Sequence, residues 1–199
     1  MAVTGHRDQD FARIKPPLEG RLVRLRALEE DDLGPINEMI WQPEVTAHIA
    51  MSWPEPIAGT RAWWERTRTS EDEAPFAIET LDGQLIGNCS LREIDLKTRQ
   101  ANLGIFVGQP FWDRGYGTDA VRTLCRFAIQ EMNLQRVELH VYADNPRARR
   151  AYEKVGFKQE GRLRRGHFAA GRSVDVIVMG LLAEELVPDE PSGAPSDQQ

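Results

Sequence analysis

Cysteines and long apolar runs are both scarce in this chain of 199 residues. The two cysteines, Cys89 and Cys125, lie far apart, and the first residues lack the apolar core of a secretory signal. We therefore predict two reduced thiols and exclude a disulfide framework. No apolar run approaches the roughly 20 residues that a membrane-spanning helix needs, so we expect no membrane association and a cytoplasmic location.

Positive charge is also in the minority, with 25 Lys and Arg against 31 Asp and Glu and a formal net charge of −6 at pH 7. Such a chain is a poor match for nucleic acid, because affinity for phosphates comes largely from Lys and Arg. It suits a cationic partner such as an amine better. The four histidines, His6, His48, His140 and His167, are scattered, and no Cys or His cluster has metal-ligand spacing, so we expect no metal cofactor.

The remaining composition is typical of one globular domain, with 41% hydrophobic and 28% charged residues. Residues 1–17 are polar and end in two prolines, which predicts a flexible leader. Residues 188–199 are rich in Pro, Ser, Gly and acid, which predicts a disordered acidic tail. Residues 18–187 contain no repeat and no linker, so we predict a single domain there.

Hydrophobic periodicity predicts the order of the secondary-structure elements. Alternation with period two predicts strands at residues 21–26, 76–79, 84–91, 101–107, 137–142, 158–164 and 173–182. Helical spacing predicts helices at residues 29–41, 60–69, 118–132 and 146–155, with a proline-containing loop between the first two. The order β-α-α-β-β-β-α-β-α-β-β places antiparallel strands before a strand–helix–strand unit. We therefore predict an α/β (α+β) fold in which helices flank a mixed central sheet.

A glycine-bearing loop, WDRGYGT at residues 112–118, joins a predicted strand to a predicted helix. The free backbone N–H groups at the start of a helix and the helix dipole together favour an anion. Gly115 and Gly117 permit unusual φ angles and close approach of a ligand. The loop is therefore either a turn that merely starts the helix or a phosphate cradle suited to a pyrophosphate.

A dinucleotide site is a second interpretation of the same loop. Gly115, Gly117 and Ala120 match the spacing of the dinucleotide fingerprint, and Glu138 lies near the required distance downstream. We disfavour this interpretation, because seven residues separate Val107 from Gly115 and because Glu138 lies inside a predicted strand. The antiparallel hairpin upstream also fits a doubly wound parallel sheet poorly.

Two runs resemble the central motifs of the GNAT acetyltransferase superfamily: FWDRGYGTDA at residues 111–120 and YADNPRARRAYEKVGF at residues 142–157. They are most similar to the RimJ/RimL-like branch, which contains ribosomal-protein N-terminal acetyltransferases. The resemblance implies the GNAT fold and an acetyl-CoA-dependent N-acetyltransferase, which is an acyltransferase for groups other than aminoacyl. It also implies direct transfer of the acetyl group to a primary amine within a ternary complex.

The resemblance assigns residues to the donor site. The cradle would bind the pyrophosphate of acetyl-CoA through its main chain, from Arg114, Gly115, Tyr116, Gly117 and Thr118. The main chain of Ile105, Phe106 and Val107 would bind the pantetheine arm. On the last predicted helix the implied residues are Asn145 for the pantetheine arm, Arg150 for the 3′-phosphate and Tyr152 as the general acid. The alternatives are that Asn145 is a helix cap and that Tyr152 is a core aromatic.

The general base is less clearly marked. Many relatives place a Glu on the strand before the cradle, where this chain has Asn102. His140 is our candidate, because it lies on the polar face of its strand and because histidine changes charge near neutral pH. Glu93, Asp95 and a chain of water molecules are the alternatives.

The acceptor pocket is predicted between the first helices and the loop from Trp41 to Trp53. Glu44, His48 and Glu93 are the groups expected to bind a cationic amine there. A protein N-terminus, a polyamine, an antibiotic amine and an amino acid all remain open, and a homodimer is compatible with the sequence. A non-catalytic acyl-CoA-binding module is the rival function, and it is supported by Asn102 in place of an acid.

Overall fold

The computed structural model describes residues 18–49, 54–169 and 171–188. The predicted leader, Trp53 and the tail beyond Pro188 lie outside the described residues. The elements are β1 (Val23–Ala27), α1 (Leu33–Ile40), α2 (Pro43–Thr46), α3 (Ile57–Thr67), β2 (Glu73–Thr80), β3 (Leu85–Asp95), β4 (Gln100–Val107), α4 (Tyr116–Gln130), β5 (Arg136–Tyr142), α5 (Pro146–Glu153), β6 (Lys158–Ala169) and β7 (Arg172–Leu182). Within these ranges, no helix has both the length and the apolar character to cross a membrane.

The predicted element order is confirmed with one addition, the short helix α2. The sequence predicted a loop there because prolines are frequent in it. Pro43 instead occupies the first turn of α2, where a missing N–H costs nothing and the fixed φ favours a helix. The first predicted helix is also divided, because a 3₁₀ turn at Glu30–Asp32 precedes α1.

Seven strands form one mixed sheet in the order β1-β2-β3-β4-β5-β7-β6. Neighbouring strands are antiparallel except β4 and β5, which are parallel. The mixed sheet flanked by helices that the sequence predicted is therefore confirmed. A parallel pair in the middle of an antiparallel sheet requires the crossover helix α4 between its strands.

The parallel strands β4 and β5 are paired only near their beginnings. Residues 100–102 pair with residues 136–138, and no pairing follows, although β4 continues to Val107 and β5 to Tyr142. The two strands therefore diverge. This opening leaves one edge of each strand without a neighbouring strand, so main-chain groups are available there for a ligand.

Separate hydrophobic clusters cover the two faces of the sheet. Helices α4 and α5 pack on one face, where α4 buries a stripe at helical spacing formed by Val121, Leu124, Cys125 and Ala128. On the other face, α1 and α3 contribute to a smaller cluster formed by Leu28, Leu33, Ile36, Trp64 and Ala77. The second face is less completely covered, which leaves room for a cavity.

Local signals fix both ends of α5. The Asn145 side chain accepts a hydrogen bond from the Ala148 N–H at 3.1 Å, and Pro146 is the first helical residue. Gly156 ends the helical region with φ +116°, and a Cβ there would lie 2.1 Å from the Glu185 carbonyl oxygen. Only glycine fits this position, so the orientation of α5 beside the opening is fixed by sequence.

Candidate active site

A cavity of about 1620 Å³ begins at the opening between β4 and β5 and extends over the second face of the sheet. One half is bounded by β4, the loop of residues 112–118 and α5. The other half is bounded by the ends of β3 and β5 and by α1 and α3. A single space therefore joins the predicted donor site to the predicted acceptor side.

The glycine loop has the geometry of an anion cradle. Gly115 precedes α4 with φ +85°, and the Asp119 N–H donates to the Gly115 carbonyl at 3.0 Å. Helix geometry leaves the N–H groups before Asp119 without an intrahelical acceptor, at the positive end of the helix dipole. Residues 115–118 line the cavity, whereas the Arg114 side chain is exposed and does not. Arg114 can therefore contribute only through its main chain.

Trp112 connects the cradle to the neighbouring elements. Its Nε1–H donates to the Val107 carbonyl at 2.6 Å, and the Arg147 guanidinium lies 3.2 Å from the centre of its ring. These two contacts attach the loop to β4 and to α5. Among the described residues, the buried Arg147 Nη1 has no hydrogen-bond partner, so it is available to a ligand at the cavity mouth.

Arg150 is the arginine that the resemblance implies, and Arg147 is a second arginine of the same helix that the structure brings to the site. Both residues line the cavity, but Arg150 is exposed, whereas Arg147 packs on Trp112 and its charge acts on Tyr152. The sequence around the two arginines does not distinguish them, because Arg147 reaches Trp112 across the mouth of the opening. Only the fold identifies Arg147.

Tyr152 lies on α5 with 9% of its surface exposed, and it lines the cavity. Burial raises the pKa of Tyr152 to about 12, and the positive charge of Arg147 partly opposes this. The phenol is therefore protonated at neutral pH. Asn145, at the start of the same helix, is buried and also lines the cavity, so the cap and the ligand-contact interpretations are compatible.

His140 lies on the cavity face of β5, with 52% of its side chain exposed. Its Nε2 is 3.3 Å from Glu138 Oε1, and Glu138 is in turn bound by Arg136 at 2.7 Å. Further along the strand, the rings of Tyr142 and His167 stack with centres 4.1 Å apart. His167 comes from β6, so the sequence offered no signal for its place in the site.

The predicted acceptor groups divide into those that line the cavity and one that does not. His48 and Glu93 line it. Burial lowers the pKa of His48, Asp144 opposes the shift, and His48 Nδ1 has no hydrogen-bond partner among the described residues. Glu44 is exposed and does not line the cavity, so the structure does not bring it together with the other two. Its neighbour Val45 is the buried residue of α2, and this turns Glu44 outward.

The remaining candidates for nucleophile, base and metal ligand fall outside the cavity. Cys89 and Cys125 are completely buried in the core, and burial raises the pKa of both thiols, so neither is a nucleophile. The Asp95 carboxylate accepts the N–H groups of Lys97 and Thr98 at 2.8 and 3.0 Å, and it does not line the cavity. In the part of the chain that the structure describes, no three His, Cys, Asp or Glu residues are grouped as metal ligands.

Residues 22–158 match the family model of the acetyltransferase (GNAT) domain. The chain belongs to the GNAT acetyltransferase family. This GNAT enzyme is 28% identical over 163 residues to the spermidine N(1)-acetyltransferase of Vibrio cholerae, with 82% of this chain and 94% of the relative covered. It is 34% identical over 104 residues to YdaF of Bacillus subtilis, provisionally named a ribosomal N-acetyltransferase, with 52% and 57% covered.

A solved structure shows the same fold. The GNAT enzyme superposes on the crystal structure of spermidine N-acetyltransferase from Vibrio cholerae in complex with CoA and spermine with a TM-score of 0.78 and 27% identity, and the superposition covers 82% and 96% of the two chains. The predicted GNAT fold and the predicted enzyme class are confirmed. The protein is an acetyl-CoA-dependent N-acetyltransferase, and the comparisons give no support to a non-catalytic module.

Proposed function

We propose that this enzyme transfers the acetyl group of acetyl-CoA to the primary amine of a small cationic molecule. The observation that supports this most strongly is the continuity of the cavity, which places the cradle, Tyr152 and His140 around one space. The relatives named for spermidine acetylation match more than four fifths of the chain, which favours a small-molecule acceptor. YdaF favours the RimJ/RimL-like placement and a protein N-terminus as the second candidate.

In this proposal, the donor lies along the edge of β4 that the divergence from β5 leaves free. The cradle amides of residues 115–118 bind the pyrophosphate, and the main chain of residues 105–107 binds the pantetheine arm opposite Asn145. Arg147 and Arg150, at the mouth, bind the 3′-phosphate. Fixing the thioester between two strands and a helix positions it for attack from the acceptor half of the cavity.

The chemical step forms one bond and breaks one. The neutral amine nitrogen attacks the thioester carbon, the N–C bond forms, the C–S bond breaks and the proton of the amine leaves through His140 or water. Because the pKa of Tyr152 is raised to about 12, complete proton transfer to a thiolate, whose ordinary pKa is near 8.5, would cost about 5 kcal/mol. Tyr152 therefore acts mainly as a hydrogen-bond donor to the sulfur in the transition state.

The role of His140 predicts a pH dependence. If His140 accepts the amine proton, the acidic limb of the kcat/KM profile is expected to change in the His140→Ala variant, because a general base must be unprotonated to act. The measurement is kcat/KM for one amine between about pH 6 and 9 in both proteins. An unchanged profile would assign proton removal to water, and His140 would then only line the cavity.

The cradle predicts a selective loss of donor affinity in Gly115→Ala. An L side chain at φ +85° strains the backbone by about 1–2 kcal/mol. The backbone relieves this strain by turning the cradle amides away from the anion. We expect the Kd for acetyl-CoA, measured by calorimetry, to rise about tenfold. Gly83→Ala is the matched control, because it introduces similar strain at φ +93° in the remote β2–β3 turn. Equal Kd values in the two variants would contradict a cradle at Gly115.

The acceptor is identified by mass spectrometry of products from a mixed panel. The panel contains polyamines, aminoglycosides, free amino acids and N-terminal peptides of ribosomal proteins, each with acetyl-CoA and the full chain. Acetylation of the small amines with intact peptides supports the proposal. Acetylation of peptides alone would overturn it in favour of the RimJ/RimL-like placement.

A further inference from the structure

A β-bulge turns Glu93 onto the cavity face of the sheet. Arg92 pairs with Asn102 and Asp95 pairs with Gln100, so two residues of β3 oppose one residue of β4. In a regular strand, Glu93 would point to the opposite face from Arg92. Glu93 instead has φ +51°, and both side chains line the cavity. A positive φ in a non-glycine residue is unusual, and here it marks a β-bulge within the strand rather than the end of the strand.

Asn102 holds the displaced carboxylate. Its Nδ2–H₂ group donates to Glu93 Oε2 across the two strands. Asn102 is also the last residue of β4 that pairs with β5, opposite Glu138, so the pair lies where the two parallel strands begin to diverge. The bulge therefore places a carboxylate of β3 beside the opening between β4 and β5.

Glu93 differs in its charge balance from Glu73 and Glu138, the acids on other strands that line the cavity. Glu73 is paired with Arg66 and Glu138 is paired with Arg136. For Glu93, Asn102 is the hydrogen-bond donor, and no Lys or Arg of the described ranges lies within salt-bridge distance. Its negative charge is thus held in place and not neutralised, which is an arrangement that favours a cationic ligand.

The chemistry separates binding a cation from activating a nucleophile. A carboxylate next to an amine stabilises the protonated ammonium, which cannot attack a thioester. Glu93 is therefore better suited to an ammonium group that stays protonated than to the amine that reacts.

We infer that Glu93, positioned by Asn102, binds a second ammonium group of the acceptor, so that diamines and polyamines are preferred over monoamines. This inference rests on the proposed acetylation of a small cationic amine. Neighbouring strands are about 4.8 Å apart, which places β3 roughly 7 Å from the middle of the opening between β4 and β5, within the length of a short diamine. The positively charged Arg92 guanidinium lies beside Gly104, and it repels the ammonium group toward the Glu93 side of the cavity.

The test compares putrescine with butylamine, which has the same carbon chain without the second ammonium. Wild-type enzyme is expected to show a kcat/KM for putrescine that is about two- to fivefold higher, because an ion pair at an exposed site contributes a factor in this range. Glu93→Gln should remove that preference through the KM for putrescine and leave butylamine unaffected. Asp95→Asn is the matched control, because its carboxylate caps the β3–β4 turn away from the cavity, and it should behave as wild type.

Two more variants separate charge from structure. Glu93→Asp keeps the charge but withdraws it by one methylene, so the preference should move from putrescine to the longer cadaverine. Asn102→Ala frees the carboxylate and should reduce the preference without removing it. Equal turnover of putrescine and butylamine by the wild type, or equal losses for both in Glu93→Gln, would overturn this inference alone. Failure of the wild type to acetylate any small amine would instead overturn the proposed function.

Discussion

Tyr152→Phe is expected to lower kcat by about 100-fold and to leave the Kd for acetyl-CoA nearly unchanged. Tyr152 lines the cavity and its ring packs beside Phe157, so the variant removes the hydroxyl as a hydrogen-bond donor and keeps the packing of the ring. A loss in kcat without a loss in affinity marks an interaction made in the transition state. Stopped-flow or steady-state thiol release, combined with calorimetry, measures both quantities.

Two further measurements make the prediction for Tyr152 specific. A donor with a more acidic leaving thiol, such as an aryl thioester, needs less help at sulfur, so the defect of Tyr152→Phe should shrink with it. Because the pKa of Tyr152 is about 12, its ionisation should not lower wild-type kcat between about pH 7 and 10. An unaltered kcat in Tyr152→Phe would remove Tyr152 from the mechanism and leave it as a core aromatic.

Asp119→Ala is expected to destabilise the enzyme by about 3 kcal/mol or more. The buried Asp119 carboxylate, in the first turn of α4, accepts the main-chain N–H groups of Arg21, Leu22 and Val23 at 3.1, 2.7 and 3.1 Å. Removing it leaves these N–H groups without their acceptor and detaches the start of β1 from the cradle helix. For a chain of this size, Tm should fall by roughly 6 to 12 °C in a thermal melt.

Asp119→Asn is the matched control, because the amide retains one oxygen acceptor and nearly the same shape. Its loss of stability should be clearly smaller than that of Asp119→Ala. Gly20→Ala tests the same contact from the other side, since a Cβ at Gly20 would lie 2.3 Å from Asp119 Oδ2. A wild-type melting curve for Asp119→Ala would show that the N–H groups of this segment find other partners.

Features encoded within a few neighbouring residues could be predicted from the sequence. Asn145, Pro146 and Gly156 mark the two ends of α5 by their own conformational preferences, and the structure has the helix between them. The buried stripe of α4 follows from its helical period. The short helix α2 was missed because its prolines also suit a loop, and only the contacts of Val45 decide between the two.

Features that depend on contacts between distant segments could not be predicted. The bulge at Glu93 arises from a mismatch between β3 and β4, and no residue type requires it. Arg147 packs on Trp112 and His167 stacks on Tyr142, and the members of each pair lie far apart in the sequence. Asp119 belongs to the cradle motif, yet its partners lie 96 to 98 residues away. The sequence predicted Glu44 in the acceptor pocket because it lies close to the other candidate residues along the chain. In the structure, α2 buries the adjacent Val45 and points the Glu44 side chain toward solvent.

Direct transfer within one ternary complex is tested most directly by following the acetyl group itself. The enzyme is incubated with acetyl-CoA alone and then with acetyl-CoA and putrescine or spermidine, and thiol, acetylated amine and intact protein mass are measured together. We predict no acetyl group on the protein without amine, because both cysteines are buried, and one acetylated amine per thiol released once amine is added. Thiol release without amine, accompanied by a protein heavier by one acetyl group, would contradict direct transfer.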